Sequence, residues 1–327
     1  MGSDCTVTVI APDDDVAVAL VDSAVARLAD LERRWSRFRD DSELTALNRA
    51  AGAAVFTSRE TAAIVALAIE AWRDTAGLFD PTVHDAMVAS GYDRSFELLV
   101  GADRAPGQDR GVDPEVDPGL ELERRTLAAP GAGGIEVDPR IGLVVLPEGV
   151  RLDLGGIGKG RAGDLVLASL LDGGATGACV DLGGDVAVGG QAVDGTDDWV
   201  IAVDDPFEPG RDLVLLRLAV GAVTTSARTR RRWIGATGAA HHLIDPATGA
   251  PAASGLSAVT VIAGSAVAGE VHAKAVMVAG PSRGRALLES AGLCGLLVLD
   301  DGSVEVAGDL VPFLVWAAPA LARGSRT

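Results

Sequence analysis

The chain has 327 residues, enough for one large domain or two modest ones, and its composition is globular: 48% hydrophobic, 23% charged and only 4% aromatic. A formal net charge of −18 argues against nucleic acid or an anionic membrane surface as partner, and any phosphorylated ligand must be drawn in by a local positive site. The cysteines Cys5, Cys179 and Cys294 are odd in number and lack metal spacing, so they read as small buried apolar residues rather than a disulfide framework.

The start of the chain, MGSDCTVTVIAP, alternates and predicts a strand. From residue 14 to about 37, apolar residues recur at helical spacing (Val16, Leu20, Ala24, Leu28, Leu31, Trp35), which predicts a long amphipathic helix. A short helix is expected from Asp41 or Ser42. Thr57 and Glu60 read as a capping box for a helix that runs to Ala76 and stops at Gly77. Residues 101–134 form an acidic, Pro/Gly-rich insert without periodicity, expected as a surface loop.

The apolar run IGLVVLPEGVRLDL then predicts a strand that leads into Gly155, Gly156, Gly158 and Gly160, followed by a helix from about Arg161 to Leu171. Strand, glycine loop and helix start make a context in which backbone N–H groups and a helix dipole hold phosphate, with the Lys159 ammonium facing the anion. A tight turn that needs glycine for positive φ accounts for the same residues. Among 28 Lys+Arg residues only Lys159 and Lys274 are lysines, which favours a ligand role for Lys159, because a compact point charge suits a crowded loop.

Beyond the loop, GACVDLGGDVAVGG predicts a strand broken by a Gly-Gly turn. Further strands are expected at 199–203, 213–220, 242–244, 256–262 and 295–299, and helices at 267–278, 283–291 and after Gly308. Strands and helices mix without regular βαβ alternation, so an α+β fold is expected rather than a doubly wound sheet. No signal peptide is visible, and the apolar stretch 310–322 is short and holds Pro312 and Pro319, so no transmembrane segment and a cytoplasmic location are expected.

Four segments carry candidate chemistry. In GAAHHLIDPATGAP, His242 leaves a predicted strand beside an Asp-Pro turn, where it reads either as a general base or as a surface residue next to an Asx-type turn. Thr225 and Ser226 precede Arg228, Arg230, Arg231 and Arg232, a run that reads mainly as a solvated face. Asp80 in LFDPT stands at the mouth of a turn, to receive a ligand N–H or hydroxyl or to cap a helix. Glu270 and Lys274 share a helix face as an i,i+4 pair.

Taken in order, MGS at the start, WSRFRDDSELTALN, LFDPTV, LDLGGIGKGRAGD, VDLGGDVAVGG, TTSARTRRRW and HHLIDPATGAP resemble the successive motifs of the ApbE family, the FAD:protein FMN transferases, over nearly the whole chain. The resemblance implies one domain over residues 1–327, with mixed or antiparallel sheets flanked by helices and two intertwined subdomains. It implies transfer of FMN from FAD to a Thr or Ser of a partner flavoprotein, at a [ST]GA[ST]-type motif, with release of AMP and assistance from Mg2+. By motif position, Met1, Phe38, Leu78, Phe79, Asp80, Asp153, Lys159 and Ile244 would contact FAD. His242 would be the base, with Thr225 and Ser226 close to the flavin or its phosphates. The Gly156 carbonyl and Glu270 would be metal ligands, with Lys274 at the position of the family's Thr ligand.

Several features depart from the family pattern. The helix that usually reads aDalaTA reads AGEVHAKA. Glutamate replaces aspartate as an oxygen ligand, but a protonated lysine does not coordinate Mg2+, so weakened Mg2+ dependence is expected. The family's export or lipoprotein signal is not visible in the sequence either. Two rival functions follow: a metal-dependent FAD pyrophosphatase that yields FMN and AMP, and a non-catalytic FAD-binding protein.

Overall fold

The computed structural model describes residues 3–100, 128–235 and 238–318. Strand β1 (Cys5–Ile10) leads into α1 (Asp14–Trp35), whose N-cap Asp13 accepts a hydrogen bond from the Val16 N–H at 2.9 Å. Then follow α2 (Glu43–Arg49), β2 (Ala54–Phe56), α3 (Arg59–Asp74), α4 (His84–Ala89) and the short α5 (Phe96–Val100). Beyond residue 127 come β3 (Glu136–Asp138), β4 (Leu143–Val145), α6 (Gly158–Asp172), β5 (Gly177–Leu182), β6 (Val186–Gly190), β7 (Trp199–Asp204), β8 (Asp212–Leu218) and β9 (Gly221–Ala227). The chain continues through β10 (Arg232–Gly235), β11 (Gly238–His241), β12 (Leu256–Ala263), α7 (Ala266–Ala279), α8 (Pro281–Ser290), β13 (Cys294–Leu299), β14 (Val304–Ala307) and β15 (Leu314–Ala317).

A seven-stranded sheet in the order β1-β5-β6-β9-β12-β13-β14 forms the centre, and every neighbouring pair in it is antiparallel. Strand β12 is buried on both faces, and its period of two assigns them. Val259, Val261 and Ala263 pack on Ala273, Val276 and Met277 of α7, while Ile262 joins Trp199, Ile201, Val214 and Leu216 of the small sheet β15-β8-β7. Helices therefore cover one face and a second sheet the other, an α+β architecture.

Helices α6 and α7 meet end to side. Asp164 of α6 accepts the Ala266 and Val267 N–H groups at 2.7 and 3.1 Å, and Ser265 accepts that of Ala268 at 3.2 Å, so the α7 N-terminus is capped from two directions. A Cβ on Gly160 would stand 2.5 Å from the Ala266 carbonyl oxygen, so only glycine permits this approach.

Several sequence expectations change. The capping box at Thr57 and Glu60 is not formed: Ser58 is the N-cap of α3 and accepts from the Thr61 N–H, while Glu60 pairs with Arg27. The run 141–154 is a strand only at Leu143–Val145, because Pro147 and Gly149 turn the chain, and α6 begins at Gly158 rather than Arg161. Residues 242–244 are no strand; Ile244 makes an isolated bridge to Pro251. After Gly308 the expected helix is a single 3-10 turn followed by β15, since Pro312 and β-branched residues favour the pairing with β8. Of the insert, residues 101–127 lie outside the described residues; 128–134 end in a 3-10 turn, with Ala132 buried. Cys5 is exposed rather than buried.

Candidate active site

A cavity of about 530 Å³ opens where α1 ends, α4 begins and the glycine loop meets α7. One wall is aromatic. Tyr92 packs on Phe38 at 5.5 Å, on Phe96 at 6.3 Å and on Trp233 at 5.1 Å between ring centroids. The Arg37 guanidinium lies over the Phe38 and Tyr92 rings at 4.2 and 4.6 Å. Its Nε is 3.0 Å from Asp153 Oδ2, and both side chains are under a tenth exposed. Leu78, Phe79, Asp80 and Ile244 complete this side, with the buried Asp80 accepting from the Thr82 N–H and hydroxyl at 2.8 and 2.6 Å. Burial pushes the Asp80 carboxyl upward, and the Thr82 bonds oppose that shift.

The glycine loop is held from three sides. Asn48 of α2 exchanges two 2.8 Å hydrogen bonds with the Leu152 backbone, and the Asp153 N–H donates to the Pro81 carbonyl at 2.8 Å. Asp153 Oδ1 accepts the Gly155 N–H at 2.7 Å. Gly156 is required by contact, since a Cβ there would stand 2.9 Å from Phe79 and 3.4 Å from Lys274 Cδ. The chain then enters α6, so a helix N-terminus and Lys159 stand at the cavity wall, an arrangement suited to a phosphate group.

Behind the loop lies a buried cluster of charges. Lys159 contacts Asp185, and its Nζ is 3.8 Å from Glu270 Oε1. The same Glu270 oxygen accepts from Lys274 Nζ at 2.9 Å, and the other accepts the Gly160 N–H at 2.8 Å. Burial alone would lower the Lys159 pKa, but the Asp185 and Glu270 carboxylates outweigh it and hold it above the ordinary lysine value. Burial would raise the Glu270 carboxyl; Lys274, Lys159 and the Gly160 N–H hold it below the ordinary glutamate value.

Mg2+ does not fit this set. Both Glu270 oxygens are engaged by protein donors. A divalent ion about 4 Å from an ammonium would be repelled by about 8 kcal/mol at an effective dielectric of 20. Among the described residues, no three His, Cys, Asp or Glu side chains gather as a metal site. Gly156, Glu270 and Lys274, expected from the sequence as a ligand set, are thus brought together as an ion pair against a glycine.

His242 lines the cavity beside Lys159 and Lys274; its side chain is half-buried, with the Nδ1 atom shielded from solvent and lacking a hydrogen-bond partner. Burial, then Arg231, Lys274, His241 and Lys159, hold its pKa well below the ordinary histidine value, so the ring is neutral. The DPATG turn forms as expected, with the Asp245 carbonyl accepting from the Gly249 N–H at 2.8 Å.

The cavity gathers Phe38, Leu78, Phe79, Asp80, Asp153, Gly156, Lys159, His242, Ile244 and Lys274, whereas Met1 lies outside the described residues. Thr225 and Ser226 on β9 are not part of its wall. The Thr225 N–H donates to Asp185 at 3.2 Å, placing Thr225 behind the Lys159 pair. Arg231 departs from the solvated-face reading, since it lines the cavity and donates to Ser3 Oγ at 2.7 Å. Sequence reasoning missed Arg37, Tyr92 and Asp185. Tyr92 is the chain's single tyrosine, and Asp185 follows the Gly-Gly turn between two strands.

The family model described as "ApbE family" matches residues 1–297. A protein named FAD:protein FMN transferase from Treponema pallidum is 27% identical over 95% of this chain and 86% of its own length. One of the same name from Vibrio cholerae is 27% identical over 88% and 82%. Among solved structures, the ApbE protein of Thermotoga maritima superposes with a TM-score of 0.75 at 25% identity, covering 98% of this chain and 96% of its own. The flavin transferase ApbE of Vibrio cholerae gives 0.74 at 25% identity, covering 96% of each chain. The family model spans most of the chain and the fold matches these solved structures; the chain belongs to the ApbE family.

Proposed function

We propose that this protein is an FAD:protein FMN transferase, moving FMN from FAD onto a Thr or Ser hydroxyl of an acceptor flavoprotein and releasing AMP. The observation that carries this reading is the neutral, half-buried His242 in the wall of a cavity that also holds a glycine loop, a helix N-terminus and two lysine side chains. Relatives over most of the chain bear this activity in their names.

The residues divide the work. The aromatic wall of Phe38, Tyr92 and Phe96 supplies stacking surface for a flavin or adenine ring. The α6 N-terminus and Lys159 face the pyrophosphate, where charge develops as the phosphoryl group transfers. His242 takes the proton of the acceptor hydroxyl as its oxygen attacks the FMN phosphorus. The bond from that phosphorus to the bridging oxygen breaks, and AMP leaves with the electron pair.

The test is incubation of the purified protein with FAD and an acceptor domain that carries a [ST]GA[ST] sequence, read by intact mass and by AMP release. A mass gain equal to one FMN moiety, with AMP in equal amount, supports the transferase. Free FMN with unmodified acceptor would show hydrolysis instead, and intact FAD in every sample would show a binding protein.

A further inference from the structure

We propose that Lys274 is a catalytic residue whose ammonium takes the place of a divalent cation at the FAD pyrophosphate, so that transfer proceeds without metal. This inference rests on the transferase reading. It starts from a coincidence in space: the only two lysines of the sequence line one cavity and share one carboxylate.

Three observations carry it. Lys274 is held rather than loose, with its Nζ 2.9 Å from Glu270 Oε1 one helical turn away and its side chain only 15% exposed. Its stem packs against Gly156, where an added Cβ would stand 3.4 Å from Cδ and 3.7 Å from Cε, which sets the ammonium beside the glycine loop. Glu270 in turn is fixed by the Gly160 N–H at the start of α6, so ammonium, carboxylate and helix N-terminus form one unit.

The chemistry balances with the residues present. The acceptor oxygen bonds to the FMN phosphorus, its proton passes to His242, and the bond to the AMP phosphate breaks with the electron pair on AMP. No oxidant or reductant enters. Charge on the non-bridging oxygens is met by Lys159 and Lys274, two side chains tethered to the fold that need no recruitment. Coordination by Mg2+ is the alternative means to the same end. The pairing of Lys274 and the Gly160 N–H with Glu270 engages both oxygens of the carboxylate that the family resemblance implies as that ion's ligand.

The experiment compares the full-length wild type with Lys274→Met and Lys274→Thr. Each is assayed for FMN transfer to a [ST]GA[ST]-containing acceptor domain in EDTA and in millimolar Mg2+. FAD affinity is followed by flavin fluorescence, and Mn2+ bound to the FAD complex is counted by electron paramagnetic resonance. The expected result is wild-type transfer in EDTA within twofold of that in Mg2+, with no Mn2+ held at the site. Lys274→Met should lose transfer by 100-fold or more and weaken FAD by tenfold or more. Lys274→Thr should gain one bound Mn2+ and recover activity only with metal.

Wild-type transfer that disappears in EDTA, or one tightly bound Mn2+ in the wild-type complex, overturns the inference and leaves the transferase reading standing. Absence of transfer under every condition overturns the transferase reading instead. The Lys274 contact is then decided by FAD affinity alone, which supports it if Lys274→Met weakens binding tenfold and overturns it if binding is unchanged. Circular dichroism and the wild-type EDTA comparison keep a folding defect in a variant from deciding the outcome.

Discussion

Lys159 and Lys274, remote in sequence, converge on one carboxylate oxygen, Glu270 Oε1, at 3.8 and 2.9 Å. Glu270 is fully buried and its second oxygen holds the Gly160 N–H. Removing its charge leaves two partly buried ammonium groups with Asp185 as the carboxylate beside Lys159. Glu270→Gln is therefore expected to destabilise the fold by about 3–5 kcal/mol, the range for breaking one side of a buried pair. Urea unfolding with an unchanged m-value checks this; a shift under 1 kcal/mol would show that the cluster is solvated.

Gly160 separates packing from chemistry. An added Cβ would meet the Ala266 carbonyl oxygen, its carbon and the Val267 nitrogen at 2.5, 2.6 and 2.8 Å, all backbone atoms without freedom to yield. Gly160→Ala should cost about 1–3 kcal/mol in stability despite the better helix propensity of alanine. Thermal melting reads the sign directly, since a stabilised variant would mean that α6 and α7 are not held this close.

Much of this site was legible in the chain because glycine spacing and turn residues act locally. The loop at 155–160, the DPATG turn and the central strands follow from contacts between near neighbours, which a pattern in sequence records. Asp185 and Arg37 were not legible in the same way. Asp185 looks like an ordinary carboxylate beside a Gly-Gly turn until β5 and β6 carry it against Lys159. Arg37 belongs to an arginine-rich stretch, and only the fold sets it between Asp153 and two aromatic rings. The C-terminal strand was misread as helix because its pairing with β8 is a long-range contact that local propensity does not contain.

Arg37 joins the aromatic wall to the glycine loop. Arg37→Met keeps the apolar stem over Phe38 and Tyr92 but leaves the buried Asp153 with only the Gly155 N–H as described partner. A loss of about 3 kcal/mol in stability is expected. Arg37→Lys should recover only part of it, because an ammonium lacks the planar stacking of guanidinium. Full recovery in Arg37→Lys, measured by chemical denaturation, would show that charge alone matters.

His241 makes stability depend on pH. Its ring sits near the Ala252 carbonyl at 3.1 Å through Nε2, while Nδ1 accepts the Leu243 N–H at 3.3 Å, a pattern that satisfies the neutral form. Burial pushes its pKa down to about 4, against the Ala252 bond and with help from Arg228 and Arg232. Above pH 6.5 neither folded nor unfolded chain carries the proton. Between pH 6.5 and about 4 the unfolded chain takes it up and the folded chain does not, so stability falls with pH. The His241 share is about 1–2 kcal/mol once its partial exposure is discounted. His241→Gln should flatten the wild-type slope over that window, and an unchanged slope would remove His241 as its source.

His242 separates binding from chemistry. As the base for the acceptor hydroxyl it should contribute about 10²–10⁴-fold to transfer, the usual range for a positioned proton acceptor. His242→Gln is expected to lower kcat/KM by that factor while FAD affinity stays within about threefold, because stacking and charge reside on other residues. Burial and four neighbouring cationic or imidazole groups keep its pKa well below 6.5, so the neutral, active form persists as pH falls. The profile of kcat/KM should consequently stay flat through pH 6.5, with any acid limb at lower pH. An acid limb at or above 6.5 that disappears in the variant would mean that His242 is solvated in the working enzyme. Loss of FAD affinity equal to the loss of transfer would make it a binding residue instead.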